Sequence, residues 1–314
     1  MPEGMPRIGT SDLDVHPLSL GGNVFGWTAD EAESHRVLDA FVDGGGDFVD
    51  TADVYSAWSA GGAGISETII GSWLAKPGRR DRVVLATKVG KKADRTGLAA
   101  DTIRAAVDES LQRLRTDRID LYWAHADDPA TPQEETLGAF DELVRAGKVR
   151  AIGASNFTGP RLQQALETSR REGFASYAAL QNEYSLVERE EYERDAADVV
   201  AANGLAAVPY YALASGFLTG KYRPGQLAES QRQAGASKYL DTPRGPRVLA
   251  ALDEVAAAHG VEVATVALAW LRRQPTVVAP IASARTTGQL PALLAALELE
   301  LSDEELAALE RASR

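Results

Sequence analysis

Eight short apolar runs of β character, each followed by a longer stretch of helical periodicity, recur along the 314 residues, and no other feature restricts the fold as much. The β runs fall at 18–21, 48–50, 83–87, 119–123, 151–153, 179–181, 206–209 and 277–281. The helical patterns fall at 31–42, 67–74, 99–114, 133–146, 160–170, 188–202, 246–258 and 289–297. Strands that alternate with helices pair in parallel through right-handed crossovers, and eight of them close into a barrel. The expected fold is α/β: a (β/α)8 TIM barrel occupying 1–314 as one domain, with an N-terminal β-hairpin at 7–15 and extra C-terminal helices at 261–273 and 299–314.

Boundary chemistry supports this division. Thr131-Pro132-Gln133-Glu134 offers a hydroxyl cap, a proline suited to a first turn and a carboxylate near the positive helix end. Gly147, after the basic Arg145, suits a left-handed helix stop. Ser302-Asp303-Glu304-Glu305 has the pattern of a capping box. Segment 216–244 is too polar and too long for an ordinary connection, and a lid is expected there.

Composition excludes several functions. Lys and Arg number 33 against 45 Asp and Glu, a net charge of −12, which argues against nucleic acid or an acidic membrane surface as partner. The absence of cysteine removes disulfides, thiolate metal sites and thiol nucleophiles. The four histidines, His16, His35, His125 and His259, show no metal-ligand spacing, so no metal is expected. With no apolar leader at the N-terminus and no long apolar stretch, the expected location is cytoplasmic. Oligomeric state is not legible.

The polar residues at three successive strand ends carry the chemistry. Phe48-Val49-Asp50-Thr51-Ala52-Asp53-Val54-Tyr55 ends an apolar run in a carboxylate with a tyrosine five residues on, Ala86-Thr87-Lys88 ends the next, and Tyr122-Trp123-Ala124-His125 the one after. A barrel brings such tips to one rim. A phenol donates a proton poorly at neutral pH unless a cation stabilises its anion, and a buried lysine needs a carboxylate. Singly, each has a plainer reading: Asp50 as a turn cap, Tyr55 as packing, Lys88 with Lys91 and Lys92 as a solvated basic loop, His125 as a structural histidine.

These segments resemble the aldo-keto reductases, a (β/α)8-barrel family that uses a nicotinamide cofactor, and the likeness covers nearly the whole chain. The resemblance implies a catalytic tetrad of Asp50, Tyr55, Lys88 and His125, reducing a small-molecule aldehyde or ketone with NADPH, NADH being the less favoured cofactor. No glycine-rich dinucleotide fingerprint is present. The resemblance instead implies cofactor contacts at Asn23, Ser155, Asn156 and Gln181, nicotinamide stacking on Tyr210, pyrophosphate near Leu213, Ser215, Gly216, Leu218 and Lys221, and the 2'-phosphate and adenosine near Ser283, Arg285 and Gln289. Backbone amides of 215–222 and the helix start after the last strand would add to the anion grip. Phe25, Trp27, Trp58 and Trp123, with Tyr239, are expected to line the substrate pocket. A second reading is a cofactor-binding, redox-sensing regulatory subunit resembling potassium-channel beta subunits.

Overall fold

The computed structural model describes residues 5–59, 61–223, 225 and 231–314. Its barrel strands are β1 (Ser19–Gly21), β2 (Phe48–Asp50), β3 (Val84–Val89), β4 (Ile119–Ala124), β5 (Val149–Ser155), β6 (Tyr177–Gln181), β7 (Ala206–Ala207) and β8 (Ile281–Ala282). All neighbouring pairs are parallel. The segment entering β8 closes the sheet: Val278 N donates to Ala207 O at 3.0 Å and Ile281 N to Pro209 O at 2.8 Å, while Ser19 N donates to Pro280 O at 2.9 Å.

Outer helices occupy Glu31–Asp43, Ile65–Leu74, Ala100–Leu114, Gln133–Arg145, Gly159–Glu172, Ala197–Ala202, Arg244–His259, Val263–Arg272, Leu290–Leu294 and Asp303–Ser313. The pattern at 188–202 reads as one helix but folds as a π turn, Tyr192–Ala196, running into a short α-helix. Among the described residues no single helix is long and apolar enough to cross a membrane.

Side chains alternate between the two faces of each strand, so every second residue fills the barrel. Phe48, Leu121, Trp123, Ala151, Ala179 and Val208 cluster there with Ile8, Leu13 and Val15, which arrive from a turn tied by an antiparallel bridge between Arg7 and Asp14. Trp123 needs the small residues around it: a Cβ on Gly153 would lie 2.3 Å from its ring. Burial bears on three of the expected pocket residues. Trp123 and Phe25 are both 0% exposed, one inside the barrel and the other in the outer core, and neither lines an open pocket. Tyr239 is likewise buried, packed on Phe217 with its hydroxyl donating to Glu188 at 2.9 Å.

In segment 216–244 a short helix forms at Gln233–Ser237. Positions 224 and 226–230 of the expected lid lie outside the described residues.

Candidate active site

Parallel register sets the strand ends at one height: Asp50 aligns with Ala86 across β2 and β3, and Lys88 with Trp123 across β3 and β4. Lys88 is wholly enclosed, so each of its three donors needs an acceptor. Its Nζ donates to Asp50 Oδ2 at 2.5 Å, to Thr51 O at 2.8 Å and to Tyr55 Oη at 2.9 Å. The second Asp50 oxygen accepts from Gln181 Nε2 at 3.1 Å, straight across the barrel. That cross-barrel bond joins β2 to β6 and gives Gln181 a role the sequence does not disclose. Tyr55 is fixed from behind by Ser56, whose left-handed backbone (φ 71°) lets its hydroxyl reach Phe25 O at 2.6 Å.

His125 sets its ring edge-on to Tyr55 with 6.1 Å between centroids. Burial, then the fields of Lys88 and Lys91, hold the imidazole well below its ordinary value, so it is neutral. Burial also raises the Tyr55 phenol, and Lys88, although it pulls the other way, does not reverse this. Burial therefore outweighs Lys88 at this hydroxyl. Lys88 stays charged: burial works against the ammonium, but Asp50 and Tyr55 outweigh it and raise its pKa.

The residues expected at a nicotinamide gather on the facing wall. Asn156, left-handed at φ 56°, donates to His125 O at 2.8 Å and to Ser155 Oγ at 3.0 Å, and its carbonyl accepts from Tyr210 Oη at 2.7 Å. Ser283 Oγ donates to Asn23 Oδ1 at 2.6 Å, tying β8 to β1. Beyond β7 the chain is wound left-handed at Tyr211, Ala214, Ser215 and Gly216. Inside that turn Gly216 N and Leu218 N both donate to Leu213 O, at 2.8 and 3.2 Å, so these two amides point inward. Lys221 supplies the cation of this loop, lying over the Tyr222 ring at 5.0 Å.

After β8 the expected helix start is a single 3-10 turn, Thr287–Gln289, leading to only five α-helical residues. Two of its amides are occupied: Arg285 N donates to Gln289 Oε1 at 2.7 Å and Thr287 N to Glu33 Oε1 at 3.2 Å.

Aromatic rings cluster beside Tyr55. Trp27 and Trp58 meet edge to face at 5.7 Å, and Trp58 lies 6.2 Å from the Tyr55 ring. Trp58 and Tyr211 are 52% and 46% exposed, two of the three large apolar side chains left open among the described residues. Arg232 sets its guanidinium over Trp27 at 5.4 Å, a placement with no signal in the sequence.

Behind Lys88 lies an acid pair that sequence reading misses. Glu67 is fully buried and accepts from Thr87 Oγ1 and Arg113 Nε, each at 2.6 Å. Asp53, 1% exposed, has an Oδ1 with no hydrogen-bond partner. Burial and the charge of Glu67 push its pKa up to about 7, against Arg113, Lys92 and Lys88. Folded chains hold the Asp53 proton from about pH 4 to 7 while unfolded chains release it, so stability falls through that window and the full penalty stands above it. Asp53→Asn is therefore expected to gain stability over the parent at pH 8, by on the order of 1–3 kcal/mol, with the gain shrinking towards pH 5. Urea unfolding at both pH values measures it, and an equal gain at both would refute the titration.

A sequence model of the aldo/keto reductase family matches residues 17–314. The chain is similar to the oxidoreductase YrpG of Bacillus subtilis, 37% identical over 95% of this chain and 92% of the relative. Protein tas of Escherichia coli is 34% identical over 97% and 96%, and norsolorinic acid reductase stcV of Emericella nidulans 34% over 95% and 78%. Fold, strand-end geometry and these likenesses agree, and the chain belongs to the aldo/keto reductase family.

Proposed function

We propose that the protein is an NADPH-dependent carbonyl reductase in which Tyr55 is the general acid. The observation that carries this reading is the enclosed Lys88 joined at once to Asp50, Thr51 and the Tyr55 hydroxyl, with neutral His125 alongside.

The residues fit a nicotinamide cofactor. Ser155, Asn156 and Gln181 are neutral hydrogen-bonding groups, matched to a neutral carboxamide, and Tyr210 offers a ring held in place by its bond to Asn156. Lys221 and Arg285 would hold phosphate charge. When bound, NADPH would supply the hydride for the carbonyl carbon. Tyr55 hands its proton to the carbonyl oxygen, and Lys88 stabilises the phenolate left behind. His125 Nδ1 is buried with no partner. A bare lone pair is cheaper to bury than an N–H, so the proton belongs on Nε2, where it serves as a donor to the same oxygen. Asp50, braced by Gln181, keeps Lys88 charged and in place.

One relative is named for reducing norsolorinic acid, and the exposed rings of Trp58 and Tyr211 suit an aryl carbonyl. Carbonyl-dependent oxidation of NADPH across aromatic aldehydes, sugars and cyclic ketones tests the proposal. Turnover with at least one class is expected, faster with NADPH than with NADH, and Arg285→Ala is expected to reduce that preference by about tenfold, the scale of one charge-assisted contact. Absence of turnover with every class, alongside cofactor retained through purification, would favour the regulatory-subunit reading instead.

A further inference from the structure

The parallel ladder between β2 and β3 runs out at Asp50 and Ala86, before it reaches Lys88. Past that point the backbones are joined by Thr51 N on Ala86 O at 2.9 Å and Asp53 N on Lys88 O at 3.3 Å, the second long for such a bond. Yet all three acceptors of the Lys88 ammonium, Asp50 Oδ2, Thr51 O and Tyr55 Oη, lie on the β2 side of this gap. Any splay between the two strand ends would lengthen those bonds together.

Side chains from the first turn of helix Ile65–Leu74 span the gap. Ser66 donates its hydroxyl to Gly22 O at 2.7 Å and accepts from Thr51 Oγ1 at 2.8 Å, which ties the exits of β1 and β2. Glu67 does the same for β3. Ala86 fills the barrel, so alternation turns Thr87 outward to the helices, where its hydroxyl donates to Glu67 Oε1 at 2.6 Å. The second Glu67 oxygen accepts from Arg113 Nε at 2.6 Å, and helix Ala100–Leu114, which bears that arginine, packs so closely that a Cβ on Gly71 would lie 2.0 Å from Arg113 O. Glu67 itself is 0% exposed. Apolar groups of similar volume often replace a buried ion pair at no cost in stability, so what this pair adds beyond packing is direction: an acceptor fixed in place for Thr87.

We propose that Glu67 is a positioning residue of the reductase: through Thr87 it fixes the end of β3 against that of β2, and so sets the Lys88 ammonium against the Tyr55 hydroxyl. This rests on the carbonyl-reductase reading and extends it to a residue that touches neither substrate nor cofactor.

Thr87→Val keeps the shape of the side chain and removes the bond. On the full-length protein with NADPH its kcat for reduction is expected to fall about tenfold, with KM for carbonyl and cofactor within about twofold, and Thr87→Ser to restore most of the loss. Alcohol oxidation adds a readout that packing alone would not move. An ammonium drawn back from Tyr55 stabilises the phenolate less, so the rise of oxidation with pH is expected at higher pH in Thr87→Val, by up to about one unit. Glu67→Gln, a weaker acceptor for the same hydroxyl, is expected to shift both readouts in the same direction by less, and carries the test should Thr87→Val not fold. Urea unfolding gives a measurement without turnover: Thr87→Val is expected to lower the midpoint by less in a Lys88→Met background than in the parent, because the bond then has no ammonium to place. A variant less stable than the parent but with kcat and pH profile unchanged, or strictly additive losses in urea, overturns the assignment. Failure of the reductase reading looks different: the parent turns over no carbonyl, yet the urea losses still fall short of adding.

Discussion

Tyr55→Phe is expected to lower carbonyl reduction by about 10²- to 10⁴-fold, the usual contribution of a positioned general acid, while leaving NADPH binding intact. The substitution removes one oxygen and leaves a ring held by Trp58, His125 and the Ser56 turn, so little else should move. Cofactor affinity followed by fluorescence separates lost chemistry from lost binding; retained turnover in Tyr55→Phe would rule out the phenol as donor. The pH profile carries a second, independent reading. Burial raises the phenol above its ordinary value of about 10, so the proton stays on Tyr55 throughout the neutral range. Reduction needs that proton and should be level from about pH 6 to 9 as far as Tyr55 is concerned; alcohol oxidation needs the phenolate and should climb with pH over the same range. A sharp loss of reduction just above pH 7 would mean that Lys88 wins over burial after all.

How much of this could be read from the sequence depends on the range of the interactions involved. Period and punctuation are local, so the strands bearing Asp50, Lys88 and His125 and the helices between them are legible. Gly147 does adopt the left-handed stop, at φ 72°, and Ser302 with Glu305 forms the reciprocal cap. Where two local partners compete, legibility fails. Thr131 looks like a cap for the helix at Gln133–Arg145 but donates to Asp128 instead, leaving Pro132 at the cap position without a side-chain bond. The exits of β7 and β8 defeat the reading for another reason: Leu213 O and Gln289 Oε1 accept amides that were expected to face a phosphate, and only coordinates reveal such folding-back. Contacts across the barrel leave no trace in a local window at all. Gln181 on Asp50 spans 131 residues, and Glu67 sits in an apolar helix with nothing in its own segment to announce Thr87 or Arg113. Sequence thus finds the residues proposed to do the chemistry, and misses those that hold them.

Lys88→Met should show that holding and chemistry are separable here. Removing the ammonium leaves Asp50, 1% exposed, with Gln181 as its remaining side-chain donor, and breaking a buried pair from one side costs about 3–5 kcal/mol. The denaturant midpoint should fall accordingly, and reduction should fall with it, because nothing then stabilises the Tyr55 phenolate as the proton leaves. The two losses have different origins, so a second substitution should divide them. Asp50→Asn combined with Lys88→Met removes the stranded carboxylate and is expected to recover most of the lost stability, since exchanging a buried ion pair for neutral groups is often close to neutral in free energy. Activity should not return with it. If the double variant stays as unstable as Lys88→Met, the penalty comes from the lost bonds to Thr51 O and Tyr55 rather than from uncompensated charge. If it regains activity, Lys88 acts only as a prop for Asp50, and the electrostatic account of proton transfer is wrong.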